Sequence, residues 1–120
     1  MKNKIHHTAI ATNQPEKYIK LFEDLGGELM YKDIARDFDC ECIFIKFDNT
    51  YIEILVPLTK FNHIDRFILK FGDGKLHHIA FLSDNLDRAC AKKGALPGML
   101  VEFILPSDDN GMLIEKVKFV

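Results

Sequence analysis

The 120-residue sequence contains no tryptophan, only three cysteines and only four prolines. Three cysteines without a repeated spacing do not form a disulfide framework, and they indicate reduced thiols in a cytoplasmic protein. No apolar run approaches the roughly 20 residues that a membrane-spanning helix requires, and the first residues lack the apolar segment of a signal peptide. We therefore expect a cytoplasmic protein without a membrane partner.

The sequence also lacks a surplus of charge of either sign. Sixteen Lys and Arg side chains stand against 18 Asp and Glu side chains, which gives a formal net charge of −2. Nucleic-acid-binding domains of this size are typically basic, so we expect no nucleic-acid partner. A chain of this length is sufficient for one domain with one hydrophobic core.

Hydrophobic periodicity in the first half predicts a strand, a helix and then three more strands. The first strand is expected over residues 5–12. The helix is predicted to begin at the capping pattern Asn13-Gln14-Pro15-Glu16 and to end at Gly26-Gly27. The other three strands are a short one over residues 29–32 and a hairpin of residues 40–47 and 50–56.

The second half predicts a similar order that follows a linking helix. The helix is expected over residues 62–71. The remaining elements are a strand over 76–82, a helix over 83–93 with Lys92-Lys93 at its solvated end, and a strand pair over 100–105 and 112–120.

The strongest signal is an internal repeat of two histidine pairs. The segment His6-His7-Thr8-Ala9-Ile10 recurs 71 residues later as His77-His78-Ile79-Ala80-Phe81. Each half then closes with a hairpin whose last strand contains Ile-Glu, with Glu53 in the first half and Glu115 in the second. The chain is therefore predicted to consist of two βαβββ units, the second abbreviated, that pack side by side into an open barrel or cup.

Two histidines and two glutamates from four strands are suitable ligands for one divalent ion. Imidazole and carboxylate bind Zn, Co, Ni, Mn or Fe(II) without thiolate, and buried carboxylates without a partner or a metal are costly. We therefore predict a metal site made by His7, Glu53, His78 and Glu115. The alternative is that both histidines are satisfied core residues and both glutamates face solvent.

Other polar residues carry weaker signals. His6 and His77 point to the opposite strand face from the predicted ligands. They would need a bulge to join the site, and we interpret them as packing groups or as supports of the ligands. Cys40 and Cys42 share one strand face and are predicted to lie in the core or to line the cup. His63 is predicted at the surface.

A cup with one metal ion and carboxylates suits proton abstraction beside a carbonyl group. The ion polarises the carbonyl oxygen while a carboxylate moves the proton. Hydrolysis by a metal-bound water is possible with the same groups, and the spacing of the residues does not separate the two reactions.

Four stretches, residues 7–11, 49–58, 74–81 and 111–115, resemble the vicinal oxygen chelate superfamily, which includes glyoxalase I, methylmalonyl-CoA epimerase, extradiol dioxygenases and bleomycin-resistance proteins. The epimerase subgroup is the most similar. The resemblance implies an α+β fold in which two βαβββ units form an open, cup-shaped β-barrel. It places unit 1 at about 4–58, the linking helix at about 62–71 and the abbreviated unit 2 at about 75–120.

The same resemblance implies that one divalent ion (Co, Ni, Zn, Mn or Fe) is held by His7, Glu53, His78 and Glu115. It implies an isomerase that abstracts a proton α to the thioester carbonyl of a small acyl-CoA-type substrate. Glu115 would double as acid or base, and Glu41 is the candidate for the second proton transfer. The alternatives are a glyoxalase I-type lyase and a non-catalytic member that binds a small molecule.

Two features depart from the pattern of the superfamily. A two-residue turn at Asp48-Asn49 places Phe44 opposite Glu53, which turns Cys42 inward and Glu41 outward. Residues 95–102 replace what is usually a strand and a loop. One side of the cup is then open or completed by a partner subunit, and we expect a homodimer because exposed strand edges favour pairing. Glu102, a carboxylate on this edge, is the alternative to Glu41 as the group for the second proton transfer.

Overall fold

A computed structural model of the chain describes residues 4–87, 91–104 and 113–120. The first half contains β1 (Ile5–Ala11), α1 (Pro15–Asp24), β2 (Glu28–Ala35), a 3-10 helix (Arg36–Phe38), β3 (Cys40–Phe47) and β4 (Thr50–Pro57). After the linking helix α2, the second half contributes four strands. These elements are α2 (His63–Phe71), β5 (Lys75–Leu82), β6 (Lys92–Lys93), β7 (Met99–Ile104) and β8 (Leu113–Phe119). None of the described helices is long and apolar enough to cross a membrane.

The eight strands form one mixed sheet in the order β2-β3-β4-β1-β5-β8-β7-β6. In each half the first strand pairs in parallel with the last, β1 with β4 and β5 with β8. The antiparallel pair of β1 and β5 joins the two halves at the centre of the sheet. The strand order is therefore the same in both halves when it is counted outward from that central pair.

The hairpin of β3 and β4 has the register that the sequence predicted. Its two-residue turn lies at Asp48 and Asn49, and Phe44 pairs with Glu53. Cys40 and Cys42 are buried on the inner face of β3. Because side chains alternate along a strand, Glu41 lies on the other face.

Helix α1 covers the outer face of the first half. Ile19 is buried, and Tyr18 and Phe22 pack against a cluster that includes Ile43 and Ile54. The predicted cap at Asn13 is wrong. The backbone N–H of Asn13 donates to Asp73, and its side-chain amide donates to Asp65. These carboxylates come from distant parts of the chain. Because Asn13 binds to them, its side chain does not cap the helix.

Helix α2 forms where the sequence predicted it and has a side-chain cap. The Asn62 side chain accepts a hydrogen bond from the backbone N–H of Asp65 at 2.9 Å, which satisfies one of the free donors at the helix start. Ile64 and Ile68 are buried against the inner face of the sheet. The linking segment thereby brings the start of α2 to the cavity of the cup.

The predicted helix over residues 83–93 is wrong within the part of this span that the structure describes. Residues 83–87 are irregular, and Lys92–Lys93 form β6 beside β7. Ser83 N–H donates to the Val117 carbonyl, and Asp87 N–H donates to the Glu102 carboxylate. The neighbouring strands thus satisfy these two amides. Residues 88–90, and the predicted strand ends at Leu105 and Met112, lie outside the described residues.

Candidate metal centre

Strand pairing brings the two repeated His–Glu pairs together. Ala9, two residues after His7, pairs with Glu53, and Ala80, two residues after His78, pairs with Glu115. Side chains two residues apart share a strand face, so each histidine faces the glutamate of the adjacent parallel strand. The relative exposures are only 1% for His7, 2% for His78, 4% for Glu53 and 5% for Glu115.

The candidate ligand atoms of His7, His78 and Glu115 all lie within 4.8 Å of one another, and Glu53 lies beside both histidines. His7 Nε2 is 3.1 Å from His78 Nε2, 3.1 Å from Glu53 Oε1 and 3.2 Å from Glu115 Oε1. His78 Nε2 is 3.5 Å from Glu53 Oε1 and 3.6 Å from Glu115 Oε1. The structure thus brings all four predicted ligands together.

This arrangement fits a divalent metal ion. Ligands at about 2.1 Å from a common ion are separated from each other by roughly 3.0–3.4 Å, close to the observed distances. Glu115 Oε1 is buried without a hydrogen bond of acceptable geometry, although His7 Nε2 is nearby. An unsatisfied buried carboxylate oxygen is costly, and an ion at the centre would satisfy it.

Charge couples the members of this cluster. Burial alone would lower the pKa of His7, but the Glu53 and Glu115 carboxylates outweigh it and raise the pKa to about 9. Burial alone would raise the pKa of Glu53, but the His7 and His78 imidazoles hold it below its usual range. Without an ion, the cluster therefore keeps a proton on His7 at neutral pH and a negative charge on Glu53.

His6 and His77 reach the ligand histidines, which plain strand alternation does not allow. The pairing of β1 with β5 shifts by one residue at His6 and again at His77, so each of them is an extra residue in its strand. His6 Nδ1 lies 2.7 Å from His7 Nδ1, and His77 Nδ1 lies 2.8 Å from His78 Nδ1. The bulge that each of these histidines needs in order to reach the site is therefore present in both halves.

Both outer histidines are neutral in this environment. Burial, together with the neighbouring His7 ring, lowers the pKa of His6 to about 4. Burial and the neighbouring His78 ring lower the pKa of His77 to about 3. Each outer imidazole therefore has one nitrogen free to accept a hydrogen bond.

A phenylalanine stands against each ligand histidine. Phe44, paired with Glu53, meets the His7 ring edge-on at a centroid distance of 5.3 Å. Phe103, paired with Glu115, meets the His78 ring at 5.4 Å in the same orientation. This second repeat was not predicted, although the dipeptide Phe-Ile occurs at both positions, as Phe44-Ile45 and Phe103-Ile104.

The ligand cluster lines a cavity of about 410 Å³. Cys40 and Cys42 form part of its wall, as predicted, with their Sγ atoms 3.6 Å apart. The hydrogen bond between the two thiols, burial and the charge of Glu53 all raise the pKa of Cys42. Cys42 is therefore a neutral thiol beside the cluster.

The structure does not bring the other two candidate carboxylates into the cavity. Glu41, the predicted second proton-transfer group, lies on the outer face of β3, where it pairs with Val56. Glu102 accepts a hydrogen bond from the Asp87 backbone and lies 3.4 Å from Lys116 Nζ. Strand alternation explains both positions, because each glutamate neighbours residues that do face the cavity.

Three polar residues line the cavity although they were not predicted to belong to the site. Asp37, on the 3-10 helix, is exposed there. His63, at the start of α2, is exposed as predicted, and its Nε2 lies 2.7 Å from the Phe38 carbonyl oxygen. Lys92 Nζ lies 5.9 Å from the centroid of the Phe38 ring. The sequence carried no signal for them because they come from separate connecting segments.

Comparisons with known proteins agree with this geometry. A family model described as the glyoxalase/bleomycin resistance protein/dioxygenase superfamily matches residues 6–95. The ethylmalonyl-CoA/methylmalonyl-CoA epimerase of Cereibacter sphaeroides is 32% identical over 130 residues, which cover 96% of this chain and 97% of that protein. The crystal structure of methylmalonyl-CoA epimerase from Mycobacterium tuberculosis has a TM-score of 0.84 at 25% identity and covers 97% of this chain and 87% of that one.

A further solved structure supports the fold alone. It is a methylmalonyl-CoA epimerase in complex with methylmalonyl-CoA and NH4+, with a TM-score of 0.87 at 20% identity and coverage of 100% of this chain and 96% of that chain. The curled, open sheet with its two helices confirms the predicted glyoxalase-like α+β fold. The homology supports the prediction of an enzyme of the isomerase class. The chain therefore belongs to the glyoxalase/bleomycin resistance protein/dioxygenase superfamily, and its homologues there are methylmalonyl-CoA epimerases.

Proposed function

We propose that this protein is a metal-dependent isomerase of the methylmalonyl-CoA epimerase type, which moves the proton on the carbon beside a thioester carbonyl. The observation that carries the proposal is the convergence of two His–Glu pairs on the wall of one cavity. The matched relative that covers nearly the whole chain is an epimerase of such thioesters.

The size and lining of the cavity support a small acyl group as the reacting part of the substrate. Its volume of about 410 Å³ lies within the range of roughly 300–1,000 Å³ that is typical of small-molecule sites. Ala35, Leu55, Met99 and Val101 give it apolar walls. We propose that the acyl end of an acyl-CoA enters the cavity and that the nucleotide end stays outside.

Four side chains would hold the metal ion, namely His7, Glu53, His78 and Glu115. A bound divalent ion would stabilise negative charge on the thioester oxygen when the α-proton leaves. Two imidazoles and two carboxylates suit Co, Ni, Zn, Mn and Fe(II), and we propose one of these as the resident ion.

Glu115 is our first candidate for the proton-transfer group. Its carboxylate is buried and lines the cavity that would receive the acyl group. Epimerisation also needs a second group that returns a proton to the opposite face of the α-carbon. Asp37 is the remaining carboxylate among the described residues that line the cavity, and we assign this role to Asp37 in place of Glu41.

Isotope exchange tests the proposal directly. Metal-loaded protein is incubated with methylmalonyl-CoA in deuterated water, and deuterium at the α-carbon is followed by mass spectrometry. We expect wash-in with the wild type and a decrease of about 10²–10⁴-fold for Glu115→Gln and Asp37→Asn, because each removes a general acid–base group. The metal content of Glu115→Gln is measured in parallel, since this carboxylate is also a proposed ligand.

Glu41→Gln and Glu102→Gln are the matched controls, because both carboxylates lie outside the cavity. We expect them to exchange at the wild-type rate. An unaffected Asp37→Asn would refute the role of Asp37 while leaving the isomerase activity in place. No exchange by fully metal-loaded wild type would refute the proposal. Turnover of a thiohemiacetal would then indicate a lyase, and binding without turnover would indicate a small-molecule-binding protein.

We also propose that the protein forms a homodimer in the cytoplasm and that the two units have the predicted bounds. The sheet ends on β2, whose outer edge has no partner strand within the chain that the structure describes. Leu29, Met30 and Ile34 on this strand are exposed apolar residues, and such edges favour pairing with another chain. Analytical ultracentrifugation tests this prediction, and a monomer at micromolar concentration would contradict it.

A further inference from the structure

The two bulges in the central strand pair have the same position relative to the proposed ligands. On β1, Ile5 pairs with Phe81 and His7 pairs with Ala80, which leaves His6 as the extra residue. On β5, His78 pairs with Ala9 and Leu76 pairs with Ile10, which leaves His77 as the extra residue. A bulge redirects a side chain that strand alternation would send to the other face. The same device thus occurs twice, one residue before each ligand histidine.

Each redirected ring is held in place by other aromatic rings. The His6 ring lies 5.2 Å from Tyr51 and 5.3 Å from Phe119, measured between ring centroids. The His77 ring lies 4.8 Å from Phe67. The two packing environments come from different elements, so they are not copies of each other. Within the described part of the chain, the contact with the ligand histidine is the one that both halves share.

That common contact determines which nitrogen carries each proton. A histidine that offers the Nε2 lone pair to an ion must carry its proton on Nδ1. His7 Nδ1–H then donates to His6 Nδ1 at 2.7 Å, and His78 Nδ1–H donates to His77 Nδ1 at 2.8 Å. The outer rings must therefore carry their own protons on Nε2.

We propose that His6 and His77 are positioning residues, each of which accepts the Nδ1–H of the adjacent ligand histidine and so presents its Nε2 lone pair to the metal ion. This inference rests on the metal site of the proposed function. It adds a second pair of residues whose role is to fix the tautomer and the ring orientation of the first. Such partners of metal-bound histidines typically change metal affinity by about 10–100-fold when they are removed.

Paired substitutions separate the hydrogen bond from the packing of the ring. His6→Phe and His77→Phe keep an aromatic ring but lose the acceptor, whereas His6→Asn and His77→Asn keep an acceptor oxygen close to the position of Nδ1. The dissociation constant for Co²⁺ is measured by competition with a chromogenic chelator. We expect weakening of about 10–100-fold for each Phe variant and recovery of most of this loss in each Asn variant.

His63→Phe is the matched control, because it removes another cavity histidine whose hydrogen-bond partner is the Phe38 carbonyl. We expect its Co²⁺ affinity to equal that of the wild type. Circular dichroism and urea unfolding of the metal-free variants show whether a Phe variant has lost its fold instead. Equal affinities of the Phe and Asn variants would overturn the role, while failure of the wild type to bind Co²⁺ would overturn the metal site itself.

A second measurement needs no substitution. In wild type loaded with Zn²⁺ and labelled with ¹⁵N-histidine, long-range ¹H–¹⁵N correlation spectra identify the protonated nitrogen of each ring. We expect Nδ1–H in His7 and His78, Nε2–H in His6 and His77, and a scalar coupling between the two Nδ1 nitrogens of each pair. A proton on Nδ1 of His6 or of His77 would overturn the assignment.

Discussion

The inner strands of the two halves carry the proposed metal ligands in the same register, whereas the outer strands differ in length and composition. β1 and β5 each have a bulged His-His pair, and β4 and β8 each supply a glutamate. Outside these strands, β2 has eight residues while its counterpart β6 has two. Helix α1 covers the first half, but residues 83–87 of the second half are irregular.

The comparison shows that the metal ligands need fixed positions, whereas the residues of the cavity wall can differ between the halves. Each proposed ligand histidine must keep its Nε2 within 3.1–3.6 Å of both glutamate carboxylates, and the central strands fix those positions. The wall needs only to be apolar and closely packed. Cys40 and Cys42 on β3 accordingly occupy the positions that Met99 and Val101 have on β7.

The largest expected effect comes from removing one ligand histidine from either half. His7→Ala and His78→Ala each lack a direct ligand. Their metal affinity should therefore fall by more than the roughly 10–100-fold that is typical of removing a supporting partner. Metal content after reloading with Co²⁺ measures this. Equal losses would confirm that the halves contribute equally, and one metal per chain in both variants would contradict the site.

Replacing the phenylalanine beside each ligand histidine should lower the free energy of unfolding by different amounts in the two halves. Phe44 is 1% exposed, whereas Phe103 is only partly buried. Replacing a buried Phe with Ala typically costs about 3–5 kcal/mol, so we expect a loss in this range for Phe44→Ala and a smaller one for Phe103→Ala. Urea unfolding of the metal-free proteins gives both values. The reverse order would show that the second half has the more tightly packed core.

The pH dependence of the stability of the metal-free protein should reflect the protonation of His7. Its pKa rises from 6.5 to about 9 on folding, so its contribution is complete below pH 6.5 and is lost as the pH rises through about 9. At roughly 1.4 kcal/mol per pKa unit, the effect is on the order of 3 kcal/mol. Urea midpoints between pH 6 and 10 should fall for the wild type relative to His7→Gln. Parallel curves for the two proteins would exclude this effect.

The smallest effect is expected when the wall of the first half is made to match that of the second. Cys42→Val copies Val101 at the equivalent position of β7. Valine adds one heavy atom but keeps the apolar character, and position 42 borders the cavity, so we expect a cost below about 1.5 kcal/mol. Thermal unfolding and Co²⁺ affinity should both stay close to wild type. A marked loss of Co²⁺ affinity would show that the thiol beside Glu53 supports the site.

Local patterns in the sequence were sufficient for the central strands and for the proposed ligands. Alternation of side chains predicted which residues of β1, β3 and β4 share a face, and the two-residue turn predicted that Phe44 lies opposite Glu53. The repeat of His-His and Ile-Glu predicted which four side chains meet. Alternation and hairpin register depend on neighbours along one strand or across one short turn, and the set of four side chains followed from the duplication of the two halves.

Pairing between distant segments decided the rest. His6 and His77 turn toward the ligands only because β1 and β5 pair with one extra residue at each bulge, and no local pattern contains that register. Asn13 leaves the helix end because Asp65 and Asp73 lie beside it. Residues 83–87 are irregular, with the Ser83 and Asp87 amides donating to partners on β8 and β7. In each case the partner strand or partner side chain that decides the arrangement lies far away in sequence, so only the tertiary structure could supply it.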